Sequence, residues 1–156
     1  MLSNNGVSTA TSITYEGEDI NSFSDDKFRD AILWKRISLV PQSAMNSLNP
    51  VYRVGDQVIE AIRAHRSVSR SEARERVEFL FDVVGLQPEL MRSYPHEFSG
   101  GMRQRAMIAM SLALDPGLII MDEPTTGLDV LVQEQILRRV REIRAEVSSS
   151  IILITH

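Results

Sequence analysis

The sequence predicts an α/β protein built on a parallel sheet, and three observations lead there. Two short apolar runs, residues 118–121 and 151–155, flank a helical stretch at about 130–147. Strand, helix and strand of these lengths make a βαβ unit with parallel strands and a right-handed crossover. A further apolar run, residues 37–40, is stopped by Pro41 and reads as another strand. From 54 to 114 the apolar spacing is helical.

The elements follow in order. The first 30 residues are polar and rich in Ser, Asn and Asp. An alternating stretch at 12–15, followed by Glu16-Gly17-Glu18-Asp19, predicts a strand entering a hairpin or loop. Residues 25–31 read as a short helix, and 42–53, containing Asn49-Pro50, as a loop. Val58, Ile59 and Ile62 share one helical face. Ser69 and Glu72 have the spacing of a capping box, in which the serine accepts from the N3 amide and the glutamate reaches back. Ala73, Val77, Leu80, Phe81 and Val84 form the apolar stripe of that helix, and Gly85 closes it. Pro88 and Pro95 punctuate the next loop. Ser99-Gly100-Gly101 opens another helix, with Ala106, Ala109, Met110 and Ala113 inward, ending at Asp115-Pro116-Gly117. No repeat or low-complexity segment interrupts the chain.

A length of 156 residues, 43% hydrophobic and 24% charged, suits one globular domain with a real core. With no cysteine, disulfides and thiolate metal sites are excluded. The apolar runs are too short to span a bilayer, and residues 1–6 lack the basic and apolar regions of a signal peptide. Membrane association is therefore expected through a partner. The net charge of −4 argues against nonspecific nucleic-acid binding. Positive charge is almost all arginine, in runs at 63–76 and 138–144. Glu72 with Arg76 and Glu134 with Arg138 have i,i+4 spacing, so both runs read as solvated, salt-bridged helix faces.

Chemistry is expected beyond the carboxyl ends of the parallel strands, where ligands of open α/β sheets bind. Asp122 and Glu123 follow the first strand of the βαβ unit and His156 follows the second. Two carboxylates beside an imidazole suit a hydrated Mg²⁺ and a water attacking a phosphoryl group. Asp122 would hold the metal shell, Glu123 would orient or deprotonate the water, and His156 would contact the transferring phosphate. The acidic pair equally suits a cap on the following turn. The second candidate site is Phe98-Ser99-Gly100-Gly101-Met102-Arg103-Gln104-Arg105. Backbone amides at a glycine-rich helix start, with the helix dipole, form an anion site, although a plain serine cap accounts for the same three residues.

Taken together these motifs resemble the nucleotide-binding domain of ABC ATPases. Residues 98–105 look like the signature motif and 118–123 like the Walker B strand. Gly127-Leu128-Asp129 resembles the D-loop, His156 the switch histidine, and Gln42, after the strand at 37–40, the Q-loop glutamine. The resemblance covers about residues 37–156. Met102 and the stretch Met45-Asn46-Ser47-Leu48-Asn49-Pro50 are similar to ATPases of dipeptide, oligopeptide and nickel importers. It implies a partial P-loop NTPase (RecA-like) parallel sheet with the ABC helical subdomain inserted. The expected regions are 1–53 for the N-terminal strands and Q-loop, 54–117 for the helical subdomain, and 118–156 for the Walker B to H-loop unit. It further implies ATP and Mg²⁺ as cofactors, with Glu123, His156 and Gln42 catalytic and Asp122 and Gln42 at the metal. Ser99, Gly100, Gly101 and Asp129 would meet nucleotide in a head-to-tail dimer with a second nucleotide-binding subunit. Transmembrane permease subunits would be the membrane partners, placing the chain peripherally on the cytoplasmic face of the cell membrane. A DNA-repair or chromosome ABC ATPase is disfavoured, because no heptad coiled coil lies between 54 and 114.

One motif of that family is not found. A phosphate loop needs Gly-Lys followed by Ser or Thr, whereas the two lysines, Lys27 and Lys35, follow Asp26 and Trp34. The expectation is an interior slice of a longer subunit, or a shortened reading frame, with negligible ATP binding alone. A non-catalytic docking module is the alternative.

Overall fold

The computed structural model describes residues 10–146 and 149–155. The chain forms two compact units, residues 1–33 and 34–156.

In the first unit, β1 (Thr14–Tyr15) and β2 (Glu18–Asp19) pair antiparallel, with Thr14 opposite Asp19. The turn between them places Gly17 at φ +84°, a conformation that only glycine adopts without strain. The Asp19 carboxylate accepts from the amides of Ile13 and Asn21. Helix α1 (Asp25–Ala31) is capped by Ser24, which accepts from the Lys27 amide, and Asp25 and Asp26 in its first turn complement the helix dipole.

The second unit is built on a three-stranded parallel sheet: β3 (Ile37–Val40), β4 (Leu118–Asp122) and β5 (Ser150–Ile154), in that spatial order. The register places Val40 beside Met121, and Asp122 beside Ile154. The parallel pairing and the apolar runs expected at all three positions are thus present. Side chains alternate across a strand, so Ser38, Val40, Ile119 and Met121 share one face. That face is buried, together with Ile136, Val140 and Ile143 of helix α5 (Val130–Glu146).

The helices expected between 54 and 114 resolve into α2 (Val54–His65), α3 (Arg70–Val83) and α4 (Gly100–Ser111), with short 3₁₀ turns at Pro88–Arg92 and Pro95–Glu97. Val58, Ile59 and Ile62 of α2 meet Ala73, Val77, Leu80 and Phe81 of α3 in one apolar cluster, as the stripes predict. The Ser69–Glu72 capping box forms, with bonds of 3.2 and 2.8 Å, and Gly85 ends the helix at φ +72°. Gly55 of α2 sits so close to the Pro88–Arg92 turn that a Cβ there would lie 2.6 Å from Met91 Cβ.

Two electrostatic expectations need correction. Glu72 is taken up by the Ser69 cap, and Arg76 reaches Asp115 and the carbonyl of Leu112 instead. Arg66 joins it, bonding Asp115 at 3.1 Å and the Leu114 carbonyl at 2.5 Å. Arg66, just after α2, and Arg76 of α3 therefore cap the orphan carbonyls beyond the C-terminal end of α4, where Asp115 adopts φ 53°. This part of the 63–76 run is a tertiary clamp and not a solvated face. In the second run, Arg138 pairs forward with Glu142 at 3.2 Å, and Arg139 bonds the same glutamate and the carbonyl of Asp82. The i,i+4 pairing survives there with a different partner.

Candidate phosphoryl-transfer site

The acidic pair stands at the carboxyl end of the central strand. β4 ends at Asp122, and Glu123 turns sharply out of the sheet at φ 43° while its amide bonds the Ile154 carbonyl at 3.0 Å. A left-handed backbone at a residue other than glycine is uncommon, and it marks a turn that its surroundings hold in place. Both residues are half-buried.

Gln42 arrives at the same rim from β3. Val40 is level with Met121, so two further residues bring Gln42 level with Glu123. The Gln42 carboxamide donates from Nε2 to Glu123 Oε2 at 3.0 Å, across 81 residues of sequence. The Thr126 hydroxyl donates to the same oxygen at 2.7 Å. One carboxylate oxygen thus gathers two donors. The structure brings Gln42, Asp122 and Glu123 together at one edge. His156 lies outside the described residues; β5, which leads to it, is the parallel neighbour of β4.

The second candidate site is built on the start of α4. Ser99 caps the helix, its hydroxyl accepting from the Met102 amide at 3.2 Å. That hydroxyl is therefore already engaged as a cap, the plainer of the two readings, although a hydroxyl retains one donor. Close approach leaves little room for a side chain at Gly100 and none at Gly101 without a shift of its neighbour. A Cβ on Gly100 would lie 3.0 Å from Leu128 Cδ2, and one on Gly101 would lie 2.5 Å from Val132 Cγ1. The start of α4 therefore packs directly against the Gly127-Leu128-Asp129 turn and the first turn of α5. Asp129 caps α5, its Oδ1 accepting from the Val132 amide at 3.0 Å. Among the described residues no cluster of three or more His, Cys, Asp and Glu side chains has the geometry of a metal site.

Sequence reasoning missed two features. Gln104 is buried within α4, where the apolar stripe hid it. Gln57 bonds the backbone of Asn49 through both ends of its carboxamide, at 2.9 and 3.0 Å, and also the Tyr52 carbonyl. It fastens the loop after Gln42 to α2 and leaves Val51 and Tyr52 71% and 58% exposed.

Comparison with known proteins bears on the fold and the family. The chain is 43% identical to the oligopeptide transport ATP-binding protein OppD of Bacillus subtilis over 146 residues, covering 92% of this chain and 40% of that protein. It is 45% identical to OppD of Escherichia coli, covering 93% and 43%. With the dipeptide transport ATP-binding protein DppD of B. subtilis it shares 44%, covering 92% and 43%. It spans less than half the length of these relatives. Among solved structures, the dimeric ATP-binding cassette MJ0796 bound to ADP and Pi superimposes with a TM-score of 0.76 at 25% identity, covering 91% of this chain and 61% of that one. The α/β fold with a parallel sheet and inserted helices is that of an ATP-binding cassette. A family model described as ABC transporter matches residues 1–126, most of the chain, and the chain belongs to that family.

Proposed function

We propose that this chain carries the acidic rim and the signature helix of the ATP-hydrolysing subunit of a peptide importer. The single observation that carries the reading is the bond from Gln42 to Glu123 beside Asp122, which gathers three oxygen-bearing side chains at the carboxyl rim of a parallel sheet. In this reading Glu123 orients or deprotonates the attacking water and His156 contacts the transferring phosphate. Asp122 and the Gln42 carbonyl supply oxygen ligands, the donor type that Mg²⁺ prefers. Two protein ligands suffice, because Mg²⁺ keeps waters and nucleotide oxygens in its remaining positions. When bound, Mg²⁺ neutralises charge developing on the phosphoryl oxygens.

Ser99, Gly100, Gly101 and Asp129 would meet the nucleotide held by a second subunit. Their shared surface supports this, since the start of α4 and the turn before α5 form one packed edge. Permease subunits would dock on the loop 42–53, where Gln57 holds Val51 and Tyr52 outward. No described helix is long and apolar enough to cross a membrane, so attachment to the cytoplasmic face would run through that contact.

The 156 residues contain no Gly-Lys-Ser/Thr loop, and charge-assisted bonds to phosphate are the strong ones. The expected result of calorimetry with MgATP on the chain itself is no binding; micromolar affinity would overturn this. Catalytic competence is read in a chimera that joins this chain to the N-terminal part of B. subtilis OppD. There Glu123→Gln should cut turnover by about 10²–10⁴-fold, the range for a general base, with ATP still bound. Unchanged turnover would remove Glu123 from the catalytic role, and no turnover in the unsubstituted chimera would favour the alternative, a module that docks without hydrolysing ATP.

A further inference from the structure

We propose that Thr126 is a positioning residue for the reaction: its hydroxyl holds the Glu123 carboxylate in the place from which it orients or deprotonates the attacking water. The inference rests on the role given to Glu123 above.

A glutamate carboxylate hangs on several rotatable bonds, so contacts at its oxygens decide where it stands. The Thr126 hydroxyl donates to Glu123 Oε2 at 2.7 Å, an ordinary length for an O–H···O bond, and the charge of the acceptor strengthens it. The turn from Glu123 to Thr126 does not need this bond. It is closed by the backbone, the Thr126 amide donating to the Glu123 carbonyl at 3.2 Å, and Pro124 presets φ at its second position. Burial does not force the bond either, because Thr126 is exposed and water could serve its hydroxyl. What the bond adds is a fixed place for the carboxylate.

The two donors to that oxygen differ in what carries them. Gln42 comes from the end of β3, 81 residues away, and on the reading above its carbonyl also serves the cation. Any turn of that side chain moves its N–H as well. Thr126 lies three residues from Glu123 on the same turn, so its hydroxyl stays with the acid when Gln42 moves. The turn is itself seated. The Leu128 amide donates to the Thr125 carbonyl at 3.2 Å, and a Cβ on Gly100, at the start of α4, would lie 3.0 Å from Leu128 Cδ2. Packing on α4 thus places the turn, and the turn places the hydroxyl.

Thr126→Val tests this, because valine keeps the branched shape and removes only the donor. In the chimera with the N-terminal part of B. subtilis OppD, Thr126→Val should lower kcat about tenfold with KM for ATP unchanged, less than loss of the base because the Gln42 donor remains. Thr126→Ser restores a donor and should return kcat to within about twofold. On a Glu123→Gln background Thr126→Val should change nothing further, since a residue acting through Glu123 has nothing left to position. The 156-residue chain gives a second readout without nucleotide. There the carbon-13 resonance of the Glu123 carboxyl, identified as the one missing from Glu123→Gln, should move with Thr126→Val and far less with Thr126→Ser. An unmoved resonance, a serine variant as slow as the valine variant, or an equal loss on the Glu123→Gln background overturns the proposal. Turnover that Glu123→Gln abolishes and Thr126→Val leaves intact also removes Thr126, while the role of Glu123 stands. Absence of turnover in the unsubstituted chimera removes the catalytic reading, and the positioning role falls with it.

Discussion

The start of α4 is pressed against the first turn of α5, and Gly101→Ala measures how closely the two are fitted. The new Cβ would lie 2.5 Å from Val132 Cγ1, against about 3.5–4.0 Å for an ordinary carbon–carbon contact. Relief requires either that the helices part by about 1 Å or that Val132 leave its rotamer. The rotamer is hard to change, since a β-branched residue in a helix has one strongly preferred χ1. Overpacking of this kind costs about 1–3 kcal/mol. Alanine returns up to about 1 kcal/mol through its better helix propensity. The net expectation is a loss of about 1–2 kcal/mol, or a Tm lower by roughly 2–8 °C for a chain of this size. Urea and thermal unfolding followed by circular dichroism give both numbers. Val132→Ala removes the obstructing methyl groups, so the double variant should recover most of the loss. A double-mutant cycle then shows coupling of opposite sign to the destabilisation. A neutral or stabilising Gly101→Ala, or strictly additive effects, would refute the close-packing account.

Two further outcomes concern the helical part. Asp115→Ala removes the carboxylate that Arg66 and Arg76 share while keeping φ at 53°. Half-exposed ion pairs are worth about 0.2–1 kcal/mol each and left-handed alanine costs about 1–2 kcal/mol, so a loss of about 1–3 kcal/mol is expected. Asp115→Asn, which tolerates that backbone, should lose clearly less, and equal denaturation midpoints for the two variants would count against the clamp. The bonds from Ser69 hold the Glu72 carboxyl below its ordinary value of 4.5. A depressed folded-state value stabilises the fold above the unfolded value, and that contribution is lost as the pH falls through the folded one. Glu72→Gln should therefore flatten the decline of the urea midpoint between about pH 5 and 3, where a free glutamate titrates; an unchanged slope would remove this cap from the acid response.

What was legible in the sequence is what local patterning controls. Ile37–Val40 is read correctly because Pro41 cannot continue a ladder, and α3 because its stripe, cap and closing glycine agree. Asp122 and Glu123 were visible because an acidic pair follows an apolar strand. The bond from Gln42 to Glu123 was not, since it joins residues 81 apart and depends on the register of β3 and β4. The same holds for Arg66 and Arg76, which find Asp115 49 and 39 residues away. Helical spacing offered Arg76 a nearer partner in Glu72, and tertiary geometry overrode the local choice. Buried Gln104 escaped because a single polar residue within an apolar helix face carries no period of its own.

The orientation of one carboxamide has a consequence for the order of events at the rim. Gln42 gives an N–H to Glu123, and its carbonyl, on the other branch of the planar amide, carries the acceptor lone pairs. On the proposed reading an incoming cation meets an oxygen already presented and need not first undo the amide's bond to the carboxylate. The glutamine thereby joins the end of β3 to Glu123 through one planar group, so a turn of that side chain would move the bond to the carboxylate and the oxygen offered to a cation together.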